Sequence, residues 1–126
     1  MIAAVAAGGA FGSTLRLGVS HAMRGLTSSD GWPFATLTVN VLGSLVLGWV
    51  LSRSLDAGSA FASPSTRAFV VVGLLGGFTT FSAFSAEVLA FLQASQVGRA
   101  SAYAVASVVL AVAATMIGYS IARASA

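Results

Sequence analysis

Between Gly76 and Glu87 the chain reads GGFTTFSAFSAE, set inside an otherwise apolar run. Two adjacent glycines open the stretch. Two threonines, two serines and a glutamate follow, with Phe81 and Phe84 among them. Glycine inside a helix costs about 1 kcal/mol relative to alanine, and adjacent small residues are a usual point of kinking. In hydrocarbon, backbone groups released from a helix persist only where protein or a water-filled cavity satisfies them. Broken helices at membrane depth recur as ion and substrate sites in transporters. The stretch is therefore read as a site, and the third helix is expected to break there, in mid-membrane.

The membrane assignment rests on charge as much as on apolarity. Of 126 residues 57% are apolar and 7% charged, against about 25% charged in a soluble domain. Mean hydropathy is +0.95. There is no lysine, and six arginines, three acids and one histidine give a net charge of +3, too sparse for a nucleic-acid footprint. The absence of cysteine excludes disulfides, thiolate chemistry and Cys-type metal sites. Residues 1–15 are apolar and rich in Ala and Gly. No Lys or Arg precedes them, so the charged region of a signal peptide is missing and the segment is expected to be retained.

A spanning helix needs about 20 mostly apolar residues. Four segments qualify, near residues 2–23, 33–52, 66–92 and 99–122, and the chain reads as one all-α transmembrane domain over 1–126. The connection 24–33 carries Ser28, Ser29, Asp30 and Gly31. It ends at Pro33, a residue suited to the first turn of a helix. No internal repeat is visible.

Four helices put both termini on one side. Arg53, Arg67 and Arg123 then fall on that side, and Arg24 and Arg99 on the other. Orientation follows Lys/Arg bias in short loops, and an excess of one arginine is weak. Such a chain is expected to insert both ways up, as an antiparallel dual-topology homodimer; a single orientation is the competing reading. Gly8 and Gly12, Gly73 and Gly77, and Ser44 and Gly48 are each four apart, a spacing that lets helix backbones approach.

Polar residues inside the spans supply the remaining candidates. Arg16, mid-way along the first, faces protein or water or snorkels to an interface. Thr36, Asn40 and Ser44 form one stripe of the second helix, read either as interhelical hydrogen bonding or as a donor row along a water-accessible path. Phe81 and Phe84 share a face of the third. Aromatic rings carry a positive edge, so ring edges can contact a small anion where a fixed cation would trap it. Glu87 is either a proton-coupling carboxylate or a partner for an arginine. Tyr103, Ser107 and Thr115 follow a four-residue spacing in the last helix, with Ala111 between. No enzyme motif is present: the lone Glu87 and lone His21 form no dyad.

The string at 76–87 closely resembles the third-helix signature of the Fluc (CrcB-type) fluoride channels. WPFATLTVNVLGSLVLG at 32–48 resembles their second helix, and the spacing of Gly8, Gly12 and Arg16 their first. The resemblance implies a passive, fluoride-selective channel that exports fluoride and lowers its cytoplasmic concentration. It would sit in the inner membrane of a bacterium as an antiparallel homodimer with two pores. It also implies roles for residues. Phe81 and Phe84 would be pore aromatics and Asn40 a pore amide, with Thr80, Ser82, Tyr103 and Ser107 on the polar track. Arg16 and Glu87 would be vestibule charges. A structural Na⁺ on the dimer axis would be held by the backbone carbonyls of Gly76 and Thr79 from each chain. Ala83 and Ala111 depart from the pattern, standing where hydroxyls are expected, and thin the track. The alternative is a proton-coupled four-helix exporter, for which Glu87 is the only carboxylate inside a span.

Overall fold

The computed structural model describes residues 1–25 and 31–125; residues 26–30 of the 24–33 connection lie outside the described residues. Among the described residues four helices are long and apolar enough to cross a membrane, Ile2–Met23, Phe34–Arg53, Pro64–Gln93 and Val97–Ala124, the regular structure there is all helical, and the chain is a multi-pass membrane protein. The first two are α1 and α2. The third is divided by its backbone into α3 (residues 64–78) and α4 (Phe81–Gln93), and the last is α5 (Val97–Ala124).

Helix starts and stops follow local chemistry. Pro33 stands one place earlier than a first-turn proline, at the N-cap of α2, and its carbonyl accepts the N–H of Leu37 at 3.1 Å. Pro64 takes the first-turn position itself, at the start of α3. Before it, a short 3₁₀ turn at Ala60–Ala62 is capped by Ser59, and Phe61 lays its ring edge-on to Trp49, 5.4 Å between centroids. At the end of α4, Ser95 adopts φ 59°. Gln96 N–H then reaches back to the Phe91 carbonyl at 2.8 Å and Ser95 N–H to that of Leu92 at 3.0 Å, a Schellman stop with serine in the left-handed position glycine usually takes.

Glycine spacing sets the packing. Gly8 and Gly12 of α1 face Gly73 and Gly77 of α3, so that a Cβ on Gly8 would lie 3.0 Å from Gly73 Cα. Likewise α2 and α5 touch backbone to backbone, Gly48 against the carbonyl of Thr115 and Gly118 against that of Leu45. Large apolar side chains such as Phe11, Leu15, Val109 and Met116 point outward. Small residues inside and bulky apolar ones outside is the arrangement that lipid, itself as apolar as leucine, permits. The only buried aromatic cluster gathers Phe91, Ala100 and Tyr103 with Trp32, Leu37, Phe84 and Val88, among the described residues. Arg99 lies over the rings of Trp32 and Phe91, 5.5 and 5.2 Å from their centroids.

Candidate functional site

The third span departs from helical geometry in two ways, just before Gly76 and just after Phe78. From Ala68 to Leu75 the helix is π-wound, a form that is rare and found mostly as single-turn bulges. Then Thr79 (ψ 160°) and Thr80 (φ −151°, ψ 123°) are extended before α4 begins at Phe81. Thr80 caps α4, its Oγ1 accepting the N–H of Ala83 at 3.2 Å and pairing with Ser82 Oγ at 3.2 Å. Asn40 of α2 meets the backbone of Thr80 on both sides. Its Oδ1 accepts the Thr80 N–H at 2.8 Å, and its Nδ2 donates to the Thr80 carbonyl at 3.0 Å.

Around this point α2, α3, α4 and α5 enclose a groove of about 360 Å³. Asn40, Ser44, Thr79, Thr80 and Ser107 supply its polar atoms, Phe81 and Phe84 its rings, and no charged side chain lines it among the described residues. The rings form a chain. Phe81 and Phe84 are 5.3 Å apart at their centroids, and Phe84 and Tyr103 also 5.3 Å. Ser107 Oγ is buried without a hydrogen-bond partner, which is uncommon in folded proteins and calls for a reason.

Beyond Phe84 the ring chain ends at a carboxylate. Glu87 accepts a hydrogen bond on each oxygen, from Thr36 Oγ1 and from Tyr103 OH, both at 2.6 Å, the short distances of charge-assisted bonds. Tyr103 is only 1% exposed. Arg16 is elsewhere: with Ser13, Ser20, Thr36 and Thr80 it lines a second cavity of about 370 Å³. Among the described residues Thr80 alone borders both cavities.

A family model described as "CrcB-like protein, Camphor Resistance (CrcB)" matches residues 3–119. The chain belongs to the CrcB-like family. Relatives share most of its length. A protein of Hyphomonas neptunium is 47% identical over 120 residues, covering 94% of this chain and 92% of its own. One of Caulobacter vibrioides is 46% identical over 121 residues, covering 94% and 92%. One of Thermus thermophilus is 45% identical over 115 residues, covering 91% and 89%. Each carries the name "Fluoride-specific ion channel FluC".

In this CrcB-like chain the groove gathers Asn40, Gly76, Thr79, Thr80, Phe81, Phe84 and Ser107. Ser82 does not line it and pairs with Thr80 by its hydroxyl. Tyr103 and Glu87 lie behind Phe84, joined to each other, and Arg16 belongs to the second cavity. Thr36 is the residue that sequence reasoning undervalued. Its stripe with Asn40 was visible, but its carboxylate partner is 51 residues away. Trp32 opens the second-helix string at 32–48, but its ring standing edge-on to Phe91 and Tyr103 at 5.8 and 6.1 Å is a packing role that the string did not specify.

Two backbone carbonyls deserve the donor test that a cation would impose. In a continuous helix Gly76 O would accept the N–H of Thr80 and Thr79 O that of Ala83. Those N–H groups go instead to Asn40 Oδ1 and Thr80 Oγ1. Both residues line the groove, and Gly76 is exposed. Hard cations favour such oxygens, and unwound backbone supplies them in transporters. Gly76 and Thr79 are the residues whose carbonyls would hold such an ion. No cluster of three or more His, Asp or Glu side chains is present among the described residues.

Proposed function

We propose that this chain is a fluoride-selective passive channel, assembled as an antiparallel dual-topology homodimer with two pores in a bacterial inner membrane. The observation that carries the reading is the buried hydroxyl of Ser107, left without a partner beside Asn40, Phe81 and Phe84 in an uncharged groove.

Fluoride is small and strongly hydrated, so a path that strips its water must replace donors at close range. Neutral hydroxyls, an amide N–H and the positive edges of aromatic rings do this without a fixed cation. Conduction requires binding firm enough to enter and weak enough to leave. Asn40 Nδ2 has a second N–H, because only one is spent on Thr80. Export needs no fuel. Neutral hydrogen fluoride crosses a bilayer and dissociates inside, and an inside-negative potential favours the departing anion by about 2.3 kcal/mol per 100 mV.

Exposure supports the dimer. Phe81 is 77% exposed in the single chain, so a pore bounded by its ring needs a wall from elsewhere. A second, inverted copy supplies one, and the near balance of arginines between the two sides is what dual insertion asks for. In that dimer Gly76 O and Thr79 O of each chain would hold Na⁺ on the axis; when bound, the ion supplies a fixed positive charge that ties the two breaks together.

The test is fluoride efflux from liposomes containing the purified protein, with valinomycin and K⁺ setting the potential and chloride run in parallel. Rapid, valinomycin-dependent release of fluoride without chloride is the expected result. Release that requires an imposed proton gradient would overturn the channel reading in favour of coupled export through Glu87. No release from a folded dimer would overturn both.

A further inference from the structure

Asn40 does more in this fold than present an amide to a groove. Its side chain closes a two-bond ring with one residue of the broken helix, accepting the Thr80 N–H at 2.8 Å and donating to the Thr80 carbonyl at 3.0 Å. This is the exchange a neighbouring β-strand would make with an extended residue, supplied here by a side chain from α2. It satisfies both backbone groups of an extended residue inside a spanning segment, where unpaired ones are not tolerated.

The consequence reaches beyond Thr80. By taking the Thr80 N–H, Asn40 removes the group that would cap Gly76 O in a continuous helix. By holding Thr80 extended, it sets the Thr80 hydroxyl where Ala83 N–H finds it, and α4 starts at Phe81 with Phe84 one turn on. The carbonyl of Gly76 and the rings of Phe81 and Phe84 therefore depend on one amide. No other side chain substitutes for it. Aspartate keeps the acceptor and loses the donor, serine and alanine lose the two-point grip, and glutamine is a methylene too long.

We infer that Asn40 is a positioning residue, the splint that holds the third helix broken and so couples the carbonyl donors at Gly76 and Thr79 to the aromatic pair at Phe81 and Phe84. The cation half of this inference rests on the function proposed above; the splint itself does not.

Amide hydrogen exchange on the intact protein in micelles separates the two. In Asn40→Ala, exchange at Thr80 is expected to accelerate at least tenfold, with the Gly48–Thr115 contact region unchanged. Asn40→Asp, nearly isosteric, is expected to fall between Asn40→Ala and the parent, since it still accepts the Thr80 N–H. Unchanged exchange at Thr80 in both variants would overturn the splint.

The second arm is the shift of the thermal midpoint when N-methylglucamine is replaced by Na⁺. The parent is expected to rise and Asn40→Ala to lose the response, whereas Ser107→Ala, which lines the groove and makes no hydrogen bond to the break, is expected to keep it while losing flux. An Asn40→Ala variant that loses flux yet keeps both slow exchange at Thr80 and the Na⁺ response would make Asn40 a groove donor and nothing more. If the parent ignores Na⁺ while the exchange arm gives the expected result, the sodium reading falls and the splint stands.

Discussion

Tyr103 and Thr36, from the last and the second span, donate their hydroxyls to the two oxygens of one carboxylate, Glu87, each at 2.6 Å. A hydrogen bond to a charged group contributes about 1.5–3 kcal/mol. Tyr103→Phe is expected to destabilise the fold by about that much, read as a lower denaturant midpoint in micelles. Thr36→Val is expected to cost a similar amount. Because the two hydroxyls share an acceptor, the double variant should depart from additivity by about 0.5–3 kcal/mol. Strict additivity would mean that the carboxylate does not link them.

Ser107→Ala separates transport from stability. The hydroxyl is buried and unpartnered, so its removal leaves nothing unsatisfied, and the unfolding midpoint is expected to stay level or rise. If the hydroxyl meets a passing anion, losing a bond of about 1.5–3 kcal/mol slows fluoride flux by about tenfold to a hundredfold. Full flux in this variant would take Ser107 off the path.

Phe81→Ile and Phe84→Ile keep apolar bulk and remove the ring edges. Both are expected to abolish fluoride efflux while gel filtration still returns the parent's oligomer. Normal flux from either would remove that ring from the pore.

Backbone contact makes the glycines unequal. A side chain on Gly12 would meet the carbonyl of Leu74, and one on Gly48 the carbonyl of Thr115. Overpacking of this kind costs about 1–3 kcal/mol or more, so Gly12→Val and Gly48→Val are expected to lower the yield of folded protein. Gly18 meets nothing within 4 Å. Gly18→Ala is expected to be neutral or stabilising by up to about 1 kcal/mol through helix propensity.

How much of this was legible follows from the range of each interaction. Four spans are readable because hydropathy is a local property, and Gly76–Gly77 among hydroxyls marked the third span as unusual. The stripe of Thr36 and Asn40 was readable as a face, but what each residue touches was not. Their partners, Glu87 and the backbone of Thr80, lie 51 and 40 residues further along the chain. The π-winding of Ala68–Leu75 has no marker in a run of Val, Leu and Gly, since side chains of that kind suit an α-helix equally. Trp32 was readable as the start of the second-helix string, but the rings it packs against, Phe91 and Tyr103, lie 59 and 71 residues further along the chain.

The helices differ in reach. α2 has 20 residues and α5 has 28, which at about 1.5 Å per residue gives about 30 Å and 42 Å. The shorter matches a hydrocarbon core of about 30 Å, and the longer must tilt or project from it. Because the pair is fastened backbone to backbone at Gly48 and Gly118, neither can slide to suit a different membrane. Thicker bilayers would thus be met by local thinning around α2, at fractions of a kcal/mol for each ångström, and acyl-chain length becomes a variable that acts on this protein through its shortest span.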